Sequence, residues 1–178
     1  LEGKALNYIG DSGSAGYHLI EDSYSDIVKN SSTLAWAKTA LRNKSLIVTD
    51  EIDTTKLADL KSKVTTTTSR FDIKKIKDTA KNLIDNKSDI TTNAAITIDD
   101  TSSIANTTQI NALQAVSTSV TYAKVHDSIT ALKANTADLD KKTVTFSDST
   151  SNGADYDALV TAVGTGSVAG AVVDTATN

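Results

Sequence analysis

Short runs of β-branched and other apolar residues recur along the chain, and most of them end in an aspartate. One example is Leu46-Ile47-Val48-Thr49-Asp50, and another is Ile96-Thr97-Ile98-Asp99-Asp100. Runs of this length and composition are typical of β-strands. Between them, apolar residues are spaced three and four apart, which places them on one helix face. The strand-ending aspartates are Asp22, Asp50, Asp78, Asp100, Asp127, Asp148 and Asp174.

These aspartates lie 21–28 residues apart, which is enough for one strand and one short helix. Two such half-units make a repeat unit of about 50 residues, and regular self-similarity of this kind indicates a repeat architecture. The helical apolar sets are Leu57, Leu60 and Val64; Ile110, Leu113 and Val116; and Tyr156, Leu159 and Val163.

In one series of these aspartates, spaced 47–56 residues apart, a hydroxyl residue follows the aspartate, giving Asp22-Ser23, Asp78-Thr79, Asp127-Ser128 and Asp174-Thr175. An aspartate here can accept hydrogen bonds from the first N–H groups of the next helix, and its charge suits that helix end. After the first three aspartates, an asparagine follows eight residues later (Asn30, Asn86 and Asn135), with an equivalent apolar residue between (Ile27, Leu83 and Leu132). Because asparagine tolerates the left-handed conformation that ends helices, we predict capped helices of about two turns.

Strand–helix–strand connections of this length predict parallel strands joined by right-handed crossovers. The expected fold is therefore an α/β repeat solenoid of strand–short helix units. Residues 1–44 are expected to form an irregular N-terminal cap and a first half-unit with a longer helix. Residues 45–178 are expected to form a β/α repeat array that continues past the C-terminus in a longer parent chain. The pattern leaves open whether the strands form one sheet or two, and a compact doubly wound domain is the alternative.

Composition narrows the classes of function. The chain has 178 residues and a net charge of -4, which excludes a chain-wide basic surface for nucleic acid. No apolar run is long enough for membrane insertion. The absence of cysteine excludes disulfides, thiolate metal sites and cysteine nucleophiles. Methionine is also absent, so we expect a processed chain or a fragment.

The alternation of a β run, an Asp-Ser or Asp-Thr pair and a short helix resembles the β/α repeats of very large bacterial cell-surface proteins. These repeats occur in S-layer proteins and in long secreted adhesin-like proteins, and the resemblance covers residues 17–178. It implies a non-enzymatic structural segment at the bacterial cell surface, acting in assembly, spacing or surface coverage. The expected partners are neighbouring repeats of a longer chain or further copies of this one.

Sequence signals for catalysis are weak. Adjacent residues on a strand point to opposite faces, so Ser128, His126 and Asp127 are not expected to form a catalytic triad. The other histidine, His18, has no metal-ligand spacing around it. Gly164-Thr165-Gly166 lacks the Lys-Ser/Thr of a phosphate loop and predicts a turn before the last strand. We therefore expect no enzyme and no cofactor beyond a calcium ion.

Calcium takes oxygen ligands at alternating positions around a turn, and one acidic segment offers them around Gly153. Its oxygen-bearing residues are Asp148, Asn152, Asp155 and Asp157. Asp99 and Asp100 are the other candidates. They and Asp148 are expected to be less clearly capped by helix starts, so a cation would be most needed there to offset repulsion between neighbouring strand ends. We expect helix capping to dominate, with any calcium weak and confined to these aspartates.

An alternative function is ligand binding in the N-terminal region. Trp36 is the single tryptophan, and Tyr17 and Tyr24 lie near it in sequence. Aromatic side chains grouped in this way would make a stacking platform for a glycan or a contact for a receptor. A binding module therefore predicts an aromatic-lined cleft around Trp36.

Overall fold

A computed structural model describes residues 8–9, 19–33, 45–63, 71–148 and 153–170. The described helices are α1 (Tyr24–Thr33), α2 (Thr54–Lys63), α3 (Ala80–Asp85), α4 (Thr107–Gln114), α5 (Ile129–Ala134) and α6 (Gly153–Val163). The strands are β1 (Tyr8–Ile9), β2 (Leu19–Asp22), β3 (Ser45–Ile52), β4 (Phe71–Asp78), β5 (Ala95–Ile98), β6 (Val120–Thr121), β7 (Lys124–Asp127), β8 (Thr143–Phe146) and β9 (Ser167–Ala169). Single 3-10 turns occupy Lys87–Asp89 and Thr136–Asp138.

The described residues fall into two compact subdomains. The first draws on residues 1–78, 86–97 and 116–119, and the second on residues 79–85, 98–115 and 120–178. Both contain parallel strands connected through helices. The prediction of an α/β fold with parallel strands is therefore confirmed.

In the first subdomain, strands β1 to β5 follow one another in chain order. β1 is antiparallel to β2, whereas β2, β3 and β4 are parallel to one another. Leu46, Val48 and Ile52 of β3 are buried because they alternate towards the helices. The register between β3 and β4 shifts between Val48 and Glu51, as at a β-bulge. The helices contribute the buried residues Ile27, Leu57 and Leu60.

In the second subdomain, β7, β8 and β9 form a parallel sheet in that order. Val125, Val144 and Val168 lie in one register row across the three strands. Helix α5 packs against α6, and α6 also contacts β9. The apolar helix positions expected from the repeat, Leu83 and Leu132, are both fully buried. Together with Ile110, Leu113, Leu159 and Val163, they form the core of this subdomain.

Two glycines form the tight turn between α6 and β9. Gly164 has a φ of +56°, a conformation that side-chain-bearing residues rarely adopt. A Cβ on Gly166 would lie 2.2 Å from the backbone oxygen of Lys142, so only glycine fits. The predicted turn before the last strand is therefore confirmed. The strand that follows it begins at Ser167, and the predicted run at 172–173 lies outside the described residues.

The predicted helix ends were wrong in their geometry. Asn86 and Asn135 have φ values of -110° and -123°, so neither adopts the left-handed conformation. Asn135 instead ends α5 through its side chain, whose Nδ2 donates to the carbonyl of Ala131 at 2.7 Å. Helix α1 continues past Asn30 to Thr33. Most of the expected N-terminal cap, at residues 1–7, 10–18 and 34–44, lies outside the described residues.

Candidate functional site

One contact recurs in both subdomains: an aspartate in the last part of a strand or just after it accepts a hydrogen bond from the first N–H of the preceding helix. The donor precedes its acceptor by 26, 24, 20 and 19 residues in the four cases. The pairs are Tyr24 N with Asp50 Oδ1 at 2.8 Å, Thr54 N with Asp78 Oδ2 at 3.2 Å, Thr107 N with Asp127 Oδ2 at 3.0 Å, and Ile129 N with Asp148 Oδ2 at 2.6 Å. These four aspartates are called the bridging aspartates below.

The strand register explains why this contact recurs. Asp127 at the end of β7 lies opposite Phe146 of β8, so Asp148 lies two residues beyond the end of β7. Helix α5 begins at Ile129, also two residues beyond Asp127, and its free N–H groups therefore meet Asp148. The first subdomain has the same offset, because Asp22 lies opposite Val48 and Asp50 is two residues further on.

At two of the four sites a threonine strengthens the contact. Thr54 and Thr107 are the first residues of their helices, and both are buried. Their hydroxyls donate to the same carboxylate oxygens as their N–H groups, at 2.6 Å to Asp78 and 2.5 Å to Asp127. Hydrogen bonds to an ionised acceptor are roughly twice as strong as neutral ones. These two carboxylates therefore bind their helix starts through paired donors.

The hydroxyl residue after a predicted capping aspartate makes its own helix-capping hydrogen bond. Ser23, Thr79 and Ser128 accept from the N–H three residues later, which is the ordinary N-cap contact. Asp22 and Asp127 accept from the N–H of the serine that follows them, at 2.8 Å and 2.7 Å. The capping was predicted within one half-unit. The structure divides it between the hydroxyl residue and the aspartate of the next strand.

Of the four predicted capping aspartates, Asp78 and Asp127 are bridging, Asp22 binds locally to Ser23, and Asp174 lies outside the described residues. The sequence reasoning missed the bridging contact. The threonines at 54 and 107 were the available signal, because they open helices 20–24 residues before an aspartate.

The environment of Asp127 shifts its acidity. Burial alone would raise the pKa of this carboxyl. The hydrogen bonds from the Thr107 side chain and from the backbone of Ser128 and Thr107, together with nearby His126, outweigh burial and lower the pKa. The ionised form is therefore the one that the fold stabilises.

This lowered pKa predicts a specific acid sensitivity. The contribution of Asp127 to stability is complete above the carboxyl's ordinary pKa of 3.8 and is lost as the pH falls through the lower folded value. We expect the free energy of unfolding, measured with urea from about pH 6 to about pH 2, to fall more steeply in the wild type than in Asp127→Asn. Parallel pH profiles for the two proteins would contradict this assignment.

The aspartates proposed for calcium also bind donors from the protein. Asp99 Oδ1 accepts from the N–H and the hydroxyl of Thr101, at 3.1 Å and 2.7 Å. Asp100 Oδ2 accepts from the N–H groups of Ala123 and Lys124, at 2.8 Å and 2.9 Å, while its Oδ1 is buried without a partner in the described structure. Asp148 is a bridging aspartate, although it was expected to be less clearly capped.

The other residues of the predicted calcium loop are Asn152, Asp155 and Asp157. Asp155 forms an ion pair with Lys133 of α5, and Asp157 is exposed on α6. Asn152 lies outside the described residues. Within the described ranges, no group of three or more histidine, cysteine, aspartate or glutamate side chains is placed to hold a metal ion.

The side chains of His126, Asp127 and Ser128 each contact a different partner. His126 is exposed, and its Nδ1 lies 2.9 Å from Thr145 Oγ1. Asp127 binds Thr107 and the backbone of Ser128, while Ser128 Oγ accepts from Ala131 N. The other histidine, His18, lies outside the described residues.

Of the aromatic residues proposed for ligand binding, Trp36 and Tyr17 lie outside the described residues. Tyr24 is described, and its hydroxyl donates to Asp59 of α2 at 2.8 Å. This hydrogen bond, with smaller contributions from burial and nearby carboxylates, raises the pKa of Tyr24 to about 12. Lys56 lies 5.6 Å from the centre of its ring. Tyr24 thus joins α1 to α2 within the first subdomain.

A small pocket in the second subdomain has a volume of about 10 Å³, room for about one water molecule. It is lined by Thr107, Ile110, Asn111, Tyr122, Val125, Asn135, Asp138 and Leu139. The Tyr122 hydroxyl beside it donates to the carbonyl of Asp138 at 2.7 Å. A pocket of this size does not admit an organic substrate.

No family model, curated protein or solved structure matches this chain. Among the described helices, none is long and apolar enough to cross a membrane.

Proposed function

We propose that the chain is a structural segment of an extracellular bacterial surface protein, built as a solenoid of strand–helix repeat units. The observation that carries this proposal is the recurrence of the bridging aspartates. Each of them joins a strand, or the residues just after it, to the start of a helix that lies 19–26 residues earlier in the chain. A repeated contact between successive units is what a nearest-neighbour array requires for stability.

The contact also explains how short helices can serve in such an array. Helices α3 and α5 have six residues each, which is too short for independent stability. Packing on the helix that follows holds both in place, and the bridging Asp148 also caps α5, so a later unit stabilises the one before it. A chain of such units would act by assembly, spacing or surface coverage rather than by turnover of a substrate.

The location can be tested with antibodies against this chain in the source bacterium. Labelling of intact cells, together with recovery of the protein in the surface fraction, is the expected result. Labelling that requires permeabilised cells would overturn the proposal. An antibody against a cytoplasmic protein provides the control for cell integrity.

We expect calcium to contribute little to this function. The bridging carboxylates already accept from backbone N–H groups, so a cation is not needed to offset their charge. Thermal unfolding with excess EDTA and with excess calcium should differ by less than about 2 °C, which corresponds to roughly 0.5–1 kcal/mol. A difference of about 10 °C would show that calcium is a structural ligand.

A further inference from the structure

We draw no further inference here: the strongest candidate, the exposed lysine cluster of β4 (Lys74, Lys75 and Lys77), carries none, because Lys74 pairs with Asp72, Lys75 lies opposite Glu51 in the strand register, and nothing in the described structure shows what would cover these side chains.

Discussion

Replacing Asp127 with alanine is expected to lower the free energy of unfolding by about 3 kcal/mol. The substitution removes the acceptor for the N–H and hydroxyl of Thr107 and for the N–H of Ser128. Thr107 is buried, so its donors lose their partner where water cannot readily replace it. The start of α4 and the link from β7 to α5 are weakened together. Urea unfolding at neutral pH measures the loss.

Asp140→Ala provides the control for this prediction. Asp140 is two-thirds exposed, and its nearest ion-pair partner, Lys141, is 3.9 Å away. Its replacement should change the free energy of unfolding by less than about 0.5 kcal/mol. Thr107→Val should cost about 1 kcal/mol in the wild type and less in the Asp127→Ala background, because the hydroxyl then has no carboxylate to bind. Equal losses in both backgrounds would show that the two side chains act independently.

The sequence predicted those features of the fold that depend on local pattern. Apolar residues spaced three and four positions apart identified the buried faces of α2, α4 and α6. Leu57, Leu113 and Leu159 on these faces are fully buried. β-branched runs located β3 and β8 to within one or two residues of their ends. Both signals arise from residues that are close in sequence, so one chain is enough to detect them.

The bridging contact could not be predicted in the same way, because it depends on strand register. Which helix start Asp148 meets is decided by how far β8 extends past β7. The same limitation explains the errors at helix ends. Asn135 was expected to end its helix through its backbone conformation, but its side chain reaches the carbonyl of Ala131. A 3-10 turn begins directly after it at Thr136, and Asn135 has a φ of -123°.

The repeated apolar position offers a test of the repeat itself. Leu83 and Leu132 occupy the same place between an aspartate and an asparagine, and Ile27 is their counterpart in the first subdomain. All three are at most 1% exposed. If the repeat unit is a real structural unit, the three side chains fill equivalent spaces between a helix and its sheet, and their removal should cost similar amounts.

Leu132→Ala is therefore expected to lower the free energy of unfolding by about 3 kcal/mol, within the range of about 2–5 kcal/mol for buried leucines. α5 has only six residues and buries Ile129 and Leu132, so losing one of them removes much of its attachment. Leu83→Ala and Ile27→Ala should agree with it to within about 1 kcal/mol. Ile104→Ala, at a position that is 39% exposed, should cost less than about 1 kcal/mol. Urea unfolding of the four variants makes the comparison, and a loss at Leu132 no larger than that at Ile104 would mean that α5 is not held by its core face.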